Sequence, residues 1–146
     1  MALNPTSLVI DYARASDRAA LARLAWALHQ TNDVALSPAE ARGTLAPLVV
    51  AGHRLRVGRI GTMPVAYALW RERHETLYVR HFVVSPQHRR LGLGTRFLAL
   101  LLDHWPAHKD VWLHCQTAPA RAFWAAKGFR RTQGAMRLTR PFEAAP

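Results

Sequence analysis

One segment constrains the fold more than any other part of the chain: residues 83–98, V-V-S-P-Q-H-R-R-L-G-L-G-T-R-F-L. A β-branched apolar run ends at Ser85-Pro86, basic residues and two glycines follow, and an apolar pattern with helical spacing comes after Gly94. This order predicts a strand, a glycine loop and a helix start, where several N–H groups lack partners within the helix and carry partial positive charge. Glycines allow an anion to approach those N–H groups closely. The segment therefore predicts a site for a phosphorylated ligand such as a pyrophosphate.

Two familiar phosphate-binding motifs do not fit this loop. It lacks the Lys-Ser/Thr pair of nucleoside-triphosphate loops, which argues against ATP or GTP binding of that kind. In the dinucleotide-binding motif the third glycine would fall on Phe97, and no acidic residue for a ribose stands about 20 residues farther on. The remaining pattern is R-x-x-G-x-G from Arg89 to Gly94, which by itself also fits an ordinary flexible turn.

Length and composition indicate one folded domain, residues 1–146, with a frayed tail at 141–146. No apolar run approaches the about 20 residues that cross a bilayer, and no signal pattern opens the chain, so we expect a cytoplasmic protein without membrane contact. The net charge of +11 fits an anionic partner, a phosphorylated cofactor or nucleic acid, although the arginines are scattered as codon bias alone would scatter them. The lone Cys115 excludes an internal disulfide and is expected to be a core thiol.

Hydrophobic periodicity and capping patterns predict the element order βααβββαβαββ. The predicted strands cover 8–13, 53–60, 65–71, 77–84, 111–115, 129–132 and 135–139, and the predicted helices begin at 16–17, 37, after 94 and at 119. The second of these helices should end near Pro47. The helix between the fourth and fifth strands implies a parallel pair at the centre of a mixed α/β sheet flanked by helices. Ligands bind such sheets at the carboxyl ends of the strands, which is where the glycine loop lies.

This order, together with V-V-S-P-Q-H-R-R-L-G-L-G, resembles the GNAT superfamily of acetyl-CoA-dependent N-acetyltransferases over nearly the whole chain. A second motif, A-x-x-F-W-x-x-x-G-F from Ala120 to Phe129, is similar to a helix near the C-terminus of that family. The resemblance implies the GNAT fold and direct transfer of an acetyl group from acetyl-CoA to a primary amine of a small molecule or peptide. Homodimers are common in the family, and a homodimer is compatible with this chain.

The resemblance also implies which residues contact the cofactor. Main-chain groups of Val83 and Val84 would bind the pantetheine arm, and the Val84 N–H would stabilise the oxyanion. The side chains of Arg89 and Arg90 would add charge, and Lys127 would reach the 3′-phosphate region unless it is simply a surface lysine. The N–H groups of the loop would hold the pyrophosphate: Arg89, Arg90, Leu91, Gly92, Leu93, Gly94 and Thr95.

The chain departs from the family pattern at the position of the general acid, the group that protonates the departing thiolate. Trp124 stands where the family has a tyrosine, and an indole N–H is a donor that cannot deliver a proton at neutral pH. Trp124 would still pack near the sulfur of the cofactor, while the acid could be water, Tyr78, Tyr67 or no group at all. Thr117 replaces an asparagine of the family and retains part of its hydrogen-bonding capacity.

The sequence also leaves several candidates for the general base. Many relatives carry Glu or Asp where this chain has Arg80-His81, and the intrinsic pKa of a histidine suits proton acceptance near neutrality. Strand alternation predicts that His81 shares a face with Val79 and Val83, and the alternative role for His81 is that of a structural sheet histidine. Weaker candidates for the base are His114, Glu72, Glu75 and Asp33.

Three functions remain in competition at this point. An N-acetyltransferase for a small or peptide amine is the first, an enzyme for aminoacyl-tRNA or another nucleic-acid-linked amine is the second, and a non-catalytic CoA-binding domain is the third. The scarcity of acidic residues disfavours polyamine acceptors, and the histidine spacing offers no metal site. The resemblance places the acceptor near the first two helices and the hairpin, where the candidate lining residues are Trp26, His29, Asn32, Asp33 and Trp70.

Overall fold

Seven strands form one mixed sheet in the part of the chain that the computed structural model describes, residues 4–32, 36–88 and 91–140. The strands are β1 (Val9–Asp11), β2 (Arg54–Ile60), β3 (Met63–Glu72), β4 (Thr76–Val84), β5 (Asp110–Leu113), β6 (Arg130–Thr132) and β7 (Ala135–Leu138). Their order across the sheet is β1-β2-β3-β4-β5-β7-β6. β4 and β5 pair in parallel, and the other described pairs are antiparallel. The predicted α/β fold with a central parallel pair is therefore confirmed.

The helices in the described residues are α1 (Arg18–Thr31), α2 (Pro38–Gly43), α3 (Leu45–Val50), α4 (Leu93–His104) and α5 (Ala118–Ala126). α2 begins at its predicted capping box, in which Ser37 Oγ accepts the Glu40 N–H at 3.1 Å and Glu40 Oε1 accepts the Ser37 N–H at 3.2 Å. The prediction that this helix runs to Pro47 is wrong, because α2 ends at Gly43 and a separate helix follows. Pro47 lies in the first turn of α3, where a missing N–H costs no helical hydrogen bond.

Two strands end two residues earlier than predicted. The first was predicted over 8–13 but covers Val9–Asp11, because Asp11 Oδ1 accepts the Tyr12 N–H at 2.8 Å and the pairing with β2 stops there. β5 pairs with its neighbours only as far as Leu113, so Cys115 lies outside the strand. Within residues 4–32, 36–88 and 91–140, no helix has both the length and the apolar run that a bilayer crossing requires.

Two apolar clusters occupy opposite faces of the sheet. On one face α4 and α5 pack against the strands, with Phe97 and Trp124 among their buried side chains. On the other face α1, α2 and α3 bury Leu24, Ala41 and Leu45 against strand residues that come only from β2, β3 and β4. Among the described residues, β5, β7 and β6 contribute nothing to this second cluster, and no other described residues form a core on their α1 side.

A bulge in β4 reverses the faces of its second half. Two consecutive residues of β3 oppose Val79 and His81, so Arg80 is the extra residue. Val79 accordingly packs in the cluster with α4 and α5, whereas Val83 packs in the cluster with α1. The prediction that His81 shares a face with both Val79 and Val83 is wrong, because simple alternation does not hold across a bulge.

A buried ion-pair network anchors the start of α1 to β2. The Arg59 guanidinium donates to both carboxylate oxygens of Asp17, at 2.7 and 2.9 Å, and its Nε donates to Asp11 Oδ2 at 3.0 Å. The side chains of Arg59 and Asp17 are each 3% exposed. The hydrogen bonds from Arg59 hold the pKa of Asp17 below its usual value. The network fixes the position of α1, whose other end reaches the cleft described next.

Candidate functional site

A cleft opens where the two parallel strands separate. β4 and β5 stay paired as far as Val79 and Leu113, beyond which β4 continues to Val84 without β5 beside it. The resulting cleft has a volume of about 500 Å³ and lies at the carboxyl ends of both strands, the usual ligand position in such sheets. Its walls come from the last turn of α1, the end of β4, the first turn of α4, residues 113–117 and α5.

Most of the predicted cofactor residues meet at this cleft. Its lining includes Val83, Val84, Gly92, Leu93, Gly94, Thr95, Thr117 and Trp124. Leu91 lies between these residues in sequence but is 45% exposed and is not part of the lining. Lys127 is also outside the lining, and its Nζ lies 5.5 Å from the centre of the Phe123 ring. Arg89 and Arg90 lie outside the described residues.

The two glycines of the loop serve different purposes. Gly92 is the N-cap of α4 and has a φ of +77°. Residues other than glycine adopt this left-handed backbone conformation only at an energetic cost. A Cβ at Gly92 would meet no atom within 4 Å, so there is room for a side chain. Glycine is favoured there by the positive φ angle alone. At Gly94 a Cβ would lie 3.3 Å from Phe123 Cε1, so there the close approach of α4 to α5 favours glycine. Together they leave the first turn of α4 uncovered by side chains at positions 92 and 94.

α5 contributes an aromatic wall to the cleft. Thr117 caps this helix, with its Oγ1 accepting the Ala120 N–H at 3.2 Å. Trp124 is 5% exposed and is held between three aromatic rings, with centroid distances of 5.0 Å to Phe82, 5.1 Å to Phe123 and 4.9 Å to Phe129. Trp124 is thus part of the core and of the cleft wall at once, in keeping with a packing role.

His81 lies on the α1 side of the sheet and is absent from the cleft lining. It is 9% exposed, and its Nδ1 lies 3.1 Å from the hydroxyl of Tyr67, which is fully buried. Burial lowers the pKa of His81 to about 4, with smaller contributions from the charges of His29 and Arg80. Burial also raises the pKa of Tyr67 well above its usual value. Near neutral pH this pair is therefore an uncharged imidazole hydrogen-bonded to an uncharged phenol.

The titratable group that lines the cleft on the strand side is His114. It is exposed, and its Nδ1 lies 3.2 Å from the Tyr78 hydroxyl. Arg80, at the bulge, lines the same part of the cleft and is also exposed. The tautomer in which Nδ1–H donates to Tyr78 leaves His114 Nε2 able to accept a proton. This pair joins β4 to β5 next to the point where the strands separate.

Sequence reasoning missed several residues of the cleft. His88 lines it near the glycine loop, with a buried Nδ1 that has no hydrogen-bond partner among the described residues. Cys115 packs against the core, as expected, but also lines the cleft, and burial raises the pKa of its thiol. Phe123 completes the wall beside Gly94. His88 and Phe123 lie within the two quoted motifs, whereas nothing in the sequence marks Cys115 as a cleft residue.

Of the four candidate acceptor residues that the structure describes, Asn32 alone is part of the cleft lining. Trp70 is fully buried and stacks edge-on against Trp105, with ring centroids 5.5 Å apart. Trp26 packs against the apolar cluster that α1, α2 and α3 form with the sheet. His29 Nε2 lies 3.4 Å from Thr44 Oγ1. Asp33 lies outside the described residues.

Glu72 and Glu75, the two acidic alternatives for the base that the structure describes, are not part of the cleft lining. Glu72 stands at the far end of β3, where it pairs with Lys109 at 3.4 Å, and Glu75 lies in the following turn. Across the described ranges, no group of three or more His, Cys, Asp or Glu side chains is arranged to hold a metal ion.

The sequence matches the family model described as acetyltransferase (GNAT) family over residues 51–129, more than half of the chain. A mycothiol acetyltransferase of Parafrankia sp. (strain EAN1pec) is 35% identical over 108 residues, which are 70% of this chain and 32% of that protein. The curated relatives are much longer, and the aligned part is 18% to 32% of their length. The chain therefore spans a third or less of the curated relatives that it matches.

Solved acetyltransferase structures share the fold. The acetyltransferase from Thermus thermophilus has a TM-score of 0.74 at 16% identity, covering 93% of this chain and 99% of that chain. YncA from Salmonella typhimurium, whose structure contains its cofactor acetyl-CoA, has a TM-score of 0.62 at 18% identity, covering 95% and 97%. At such identities the likeness extends to the arrangement of strands and helices.

Proposed function

The chain belongs to the GNAT acetyltransferase family, and on that premise we propose that it transfers the acetyl group of acetyl-CoA to a primary amine of a small molecule or peptide. The observation that carries the proposal is the cleft between the separated ends of β4 and β5, which opens directly onto the first turn of α4. A strand end, a helix N-terminus and a glycine-lined approach are what an extended pyrophosphate ester needs.

The residues present fit acetyl-CoA at both ends of the cleft. At one end, Gly92 and Gly94 leave the backbone N–H groups at the start of α4 accessible to a pyrophosphate. At the other end, the edge of β4 beyond Val79 has no β5 partner, so main-chain groups near Val83 and Val84 are available to a pantetheine amide. Trp124 and Phe123 give the cleft an apolar wall between them.

When bound, acetyl-CoA would supply the acetyl group as an activated thioester. This chain must then provide a hydrogen-bond donor for the developing oxyanion and a route for the proton of the acceptor ammonium. The Val84 N–H remains our candidate for the oxyanion donor, since Val84 lies in the cleft lining on the part of β4 that β5 does not pair with. The packed indole of Trp124 shapes the wall and holds no transferable proton near neutral pH.

We assign proton acceptance to His114 in place of His81. Tyr67 is fully buried, and the hydrogen-bond partner of its hydroxyl is His81 Nδ1. A buried hydroxyl needs an acceptor, and the His81 tautomer that meets this need accepts the Tyr67 O–H at Nδ1 and carries its own proton on Nε2. In that tautomer His81 has no free nitrogen with which to act as a base. His114 faces the cleft, is open to solvent and is oriented by Tyr78. The open cleft leaves water as the proton donor to the departing thiolate.

The experiment that tests the proposal combines cofactor binding with turnover. Calorimetry with acetyl-CoA measures binding, and release of free thiol is followed with a panel of amino acids, short peptides, amino sugars and diamines. We expect binding and amine-dependent thiol release with at least one acceptor, with polyamines among the poorer ones. Binding without any amine-dependent release would leave a CoA-binding domain that does not catalyse transfer. Absence of binding would refute the assignment of the cleft.

A further inference from the structure

The half of the sheet that lacks a second core cluster presents a row of four side chains. Strand register aligns Tyr78 of β4 with Trp112 of β5, Trp112 with Arg137 of β7, and Arg137 with Arg130 of β6. Register partners point to the same side of a sheet, so these four residues share one face. At about 4.8 Å per strand, the row extends over about 14 Å. We call it the 78–130 row.

The face that carries the row is open. Residues next to the row along β5 and β7, namely Val111, Leu113 and Met136, point to the other face and are buried under α4 and α5. The aromatic members of the row are half-buried, while both arginines are exposed. Within residues 4–32, 36–88 and 91–140, no core cluster covers this face, which leaves it accessible to a ligand.

The aromatic end of the row offers flat apolar surface. The rings of Tyr78 and Trp112 have their centroids 4.4 Å apart at an angle of 44°, and the ring of His114 lies 5.8 Å from Tyr78 and 5.4 Å from Trp112. Adjacent aromatic rings on an open sheet are suitable partners for stacked bases, whatever the base sequence.

The basic end of the row places two like charges directly opposite each other. Arg130 and Arg137 are register partners, an arrangement that is unfavourable unless an anion lies nearby. The carboxylate of Asp110 accepts a hydrogen bond from Arg137 at 2.8 Å and so offsets one of the two charges. Among the described residues, no carboxylate lies within ion-pair distance of Arg130. The guanidinium of Arg130 is therefore available to bind an anionic ligand.

A second cavity, of about 390 Å³, lies at this basic end. The described residues of its lining are Gly128, Arg130, Thr132, Arg137 and Thr139. They combine two guanidinium groups with two hydroxyls, and none of them carries a carboxylate. Guanidinium and hydroxyl donors of this kind suit the oxygens of a phosphate.

We propose that the 78–130 row binds single-stranded nucleic acid, with bases stacking on Tyr78 and Trp112 and a phosphate held by Arg130 and Arg137. Charge complementarity points to this ligand, because the chain carries a net charge of +11 and the row joins stacking rings to phosphate donors. An acidic peptide would use the arginines but would leave the aromatic pair without a role. The row lies outside the acetyl-CoA cleft, so the proposal does not depend on acetyl transfer.

Fluorescence anisotropy with a fluorescein-labelled ten-nucleotide single-stranded RNA tests this proposal, without acetyl-CoA present. Binding is expected at 50 mM NaCl and should weaken steadily as the salt concentration rises. Trp112→Ala should weaken it about 5- to 100-fold, the loss expected for one stacked base, while Trp112→Phe retains most of the affinity. Arg130→Gln should make the slope of log affinity against log salt shallower by about 0.7.

The matched control is Arg23→Gln, which removes the same charge from an exposed position on α1. If Arg23→Gln weakens binding as much as Arg130→Gln does, the attraction is general and the row is not a site. Unchanged binding by Trp112→Ala, absence of binding at 50 mM NaCl, or full competition by a glutamate-rich peptide would each overturn the proposal. Thermal unfolding shows whether the alanine variant is folded, and the Trp112→Phe and Arg130→Gln variants carry the test if it is not.

Discussion

The two walls of the cleft differ in the kind of atom that they present. The wall formed by the end of β4 and the first turn of α4 offers main-chain groups, and its glycines keep side chains away. The wall formed by residues 113–117 and the bulge at Arg80 offers side chains, including His114 and Cys115. The first wall suits the acetyl-CoA that we propose as the cofactor, and the second suits the acceptor amine that we propose.

The largest effect should come from placing a negative charge on the main-chain wall. Gly92→Glu is expected to lower acetyl-CoA affinity by more than about 100-fold, because the new carboxylate would repel a pyrophosphate at the helix start. Gly61→Glu is the matched control, since Gly61 has φ +60° and equally open space in the turn between β2 and β3. Both variants bear the same backbone strain, so calorimetry isolates the site. Micromolar affinity in Gly92→Glu would contradict the assignment of this wall.

The next effect concerns His81, which stands behind the cleft. Its pKa is lowered to about 4 in the folded chain, whereas an unfolded histidine titrates near 6.5. Below pH 6.5 the unfolded state therefore binds a proton at His81 that the folded state does not bind. The free energy of unfolding consequently falls as the pH drops towards 4. The loss should be on the order of 3 kcal/mol, measured by urea unfolding at several pH values.

His81→Gln is the comparison variant, and it should flatten that part of the stability profile. It should also leave the pH dependence of kcat unchanged if His81 is structural. A variant that keeps the stability slope but loses turnover would restore His81 as the base and remove His114 from that role.

The sequence was a good guide to the main-chain wall because a local pattern determines it. A strand end, two glycines and a helix start are consecutive in the chain, and the structure keeps this order. α4 begins at Leu93, two residues earlier than predicted, so Gly92 is its N-cap and Gly94 lies in its first turn. The side-chain wall depends on where β4 bulges and where β5 stops, and both depend on pairing between distant residues. Alternation placed His81 correctly on a strand but on the wrong face relative to Val79, since one extra residue at Arg80 reverses everything after it.

His114→Asn tests the side-chain wall and should lower kcat about 100-fold, the lower end of the range for general base catalysis, because solvent reaches the cleft. Acetyl-CoA affinity should stay unchanged. His74→Asn is the control, since His74 is an exposed histidine in the turn after β3. Equal losses in kcat and in cofactor affinity would mean that His114 supports the main-chain wall instead.

The smallest effect should come from Gly94→Ala. This variant adds a neutral methyl group to the main-chain wall, so it tests steric obstruction without a change in charge. The new methyl would lie 3.3 Å from Phe123 Cε1 in a helix where the backbone itself accepts alanine. The Phe123 ring must shift by a few tenths of an ångström, so we expect acetyl-CoA affinity to fall only about threefold, while the helix gains some propensity over glycine. The double variant Gly94→Ala, Phe123→Leu should recover the affinity if ring contact is the cause. Failure to recover it would indicate that the methyl obstructs the ligand directly, and that the approach to α4 at this position is as restricted as at Gly92.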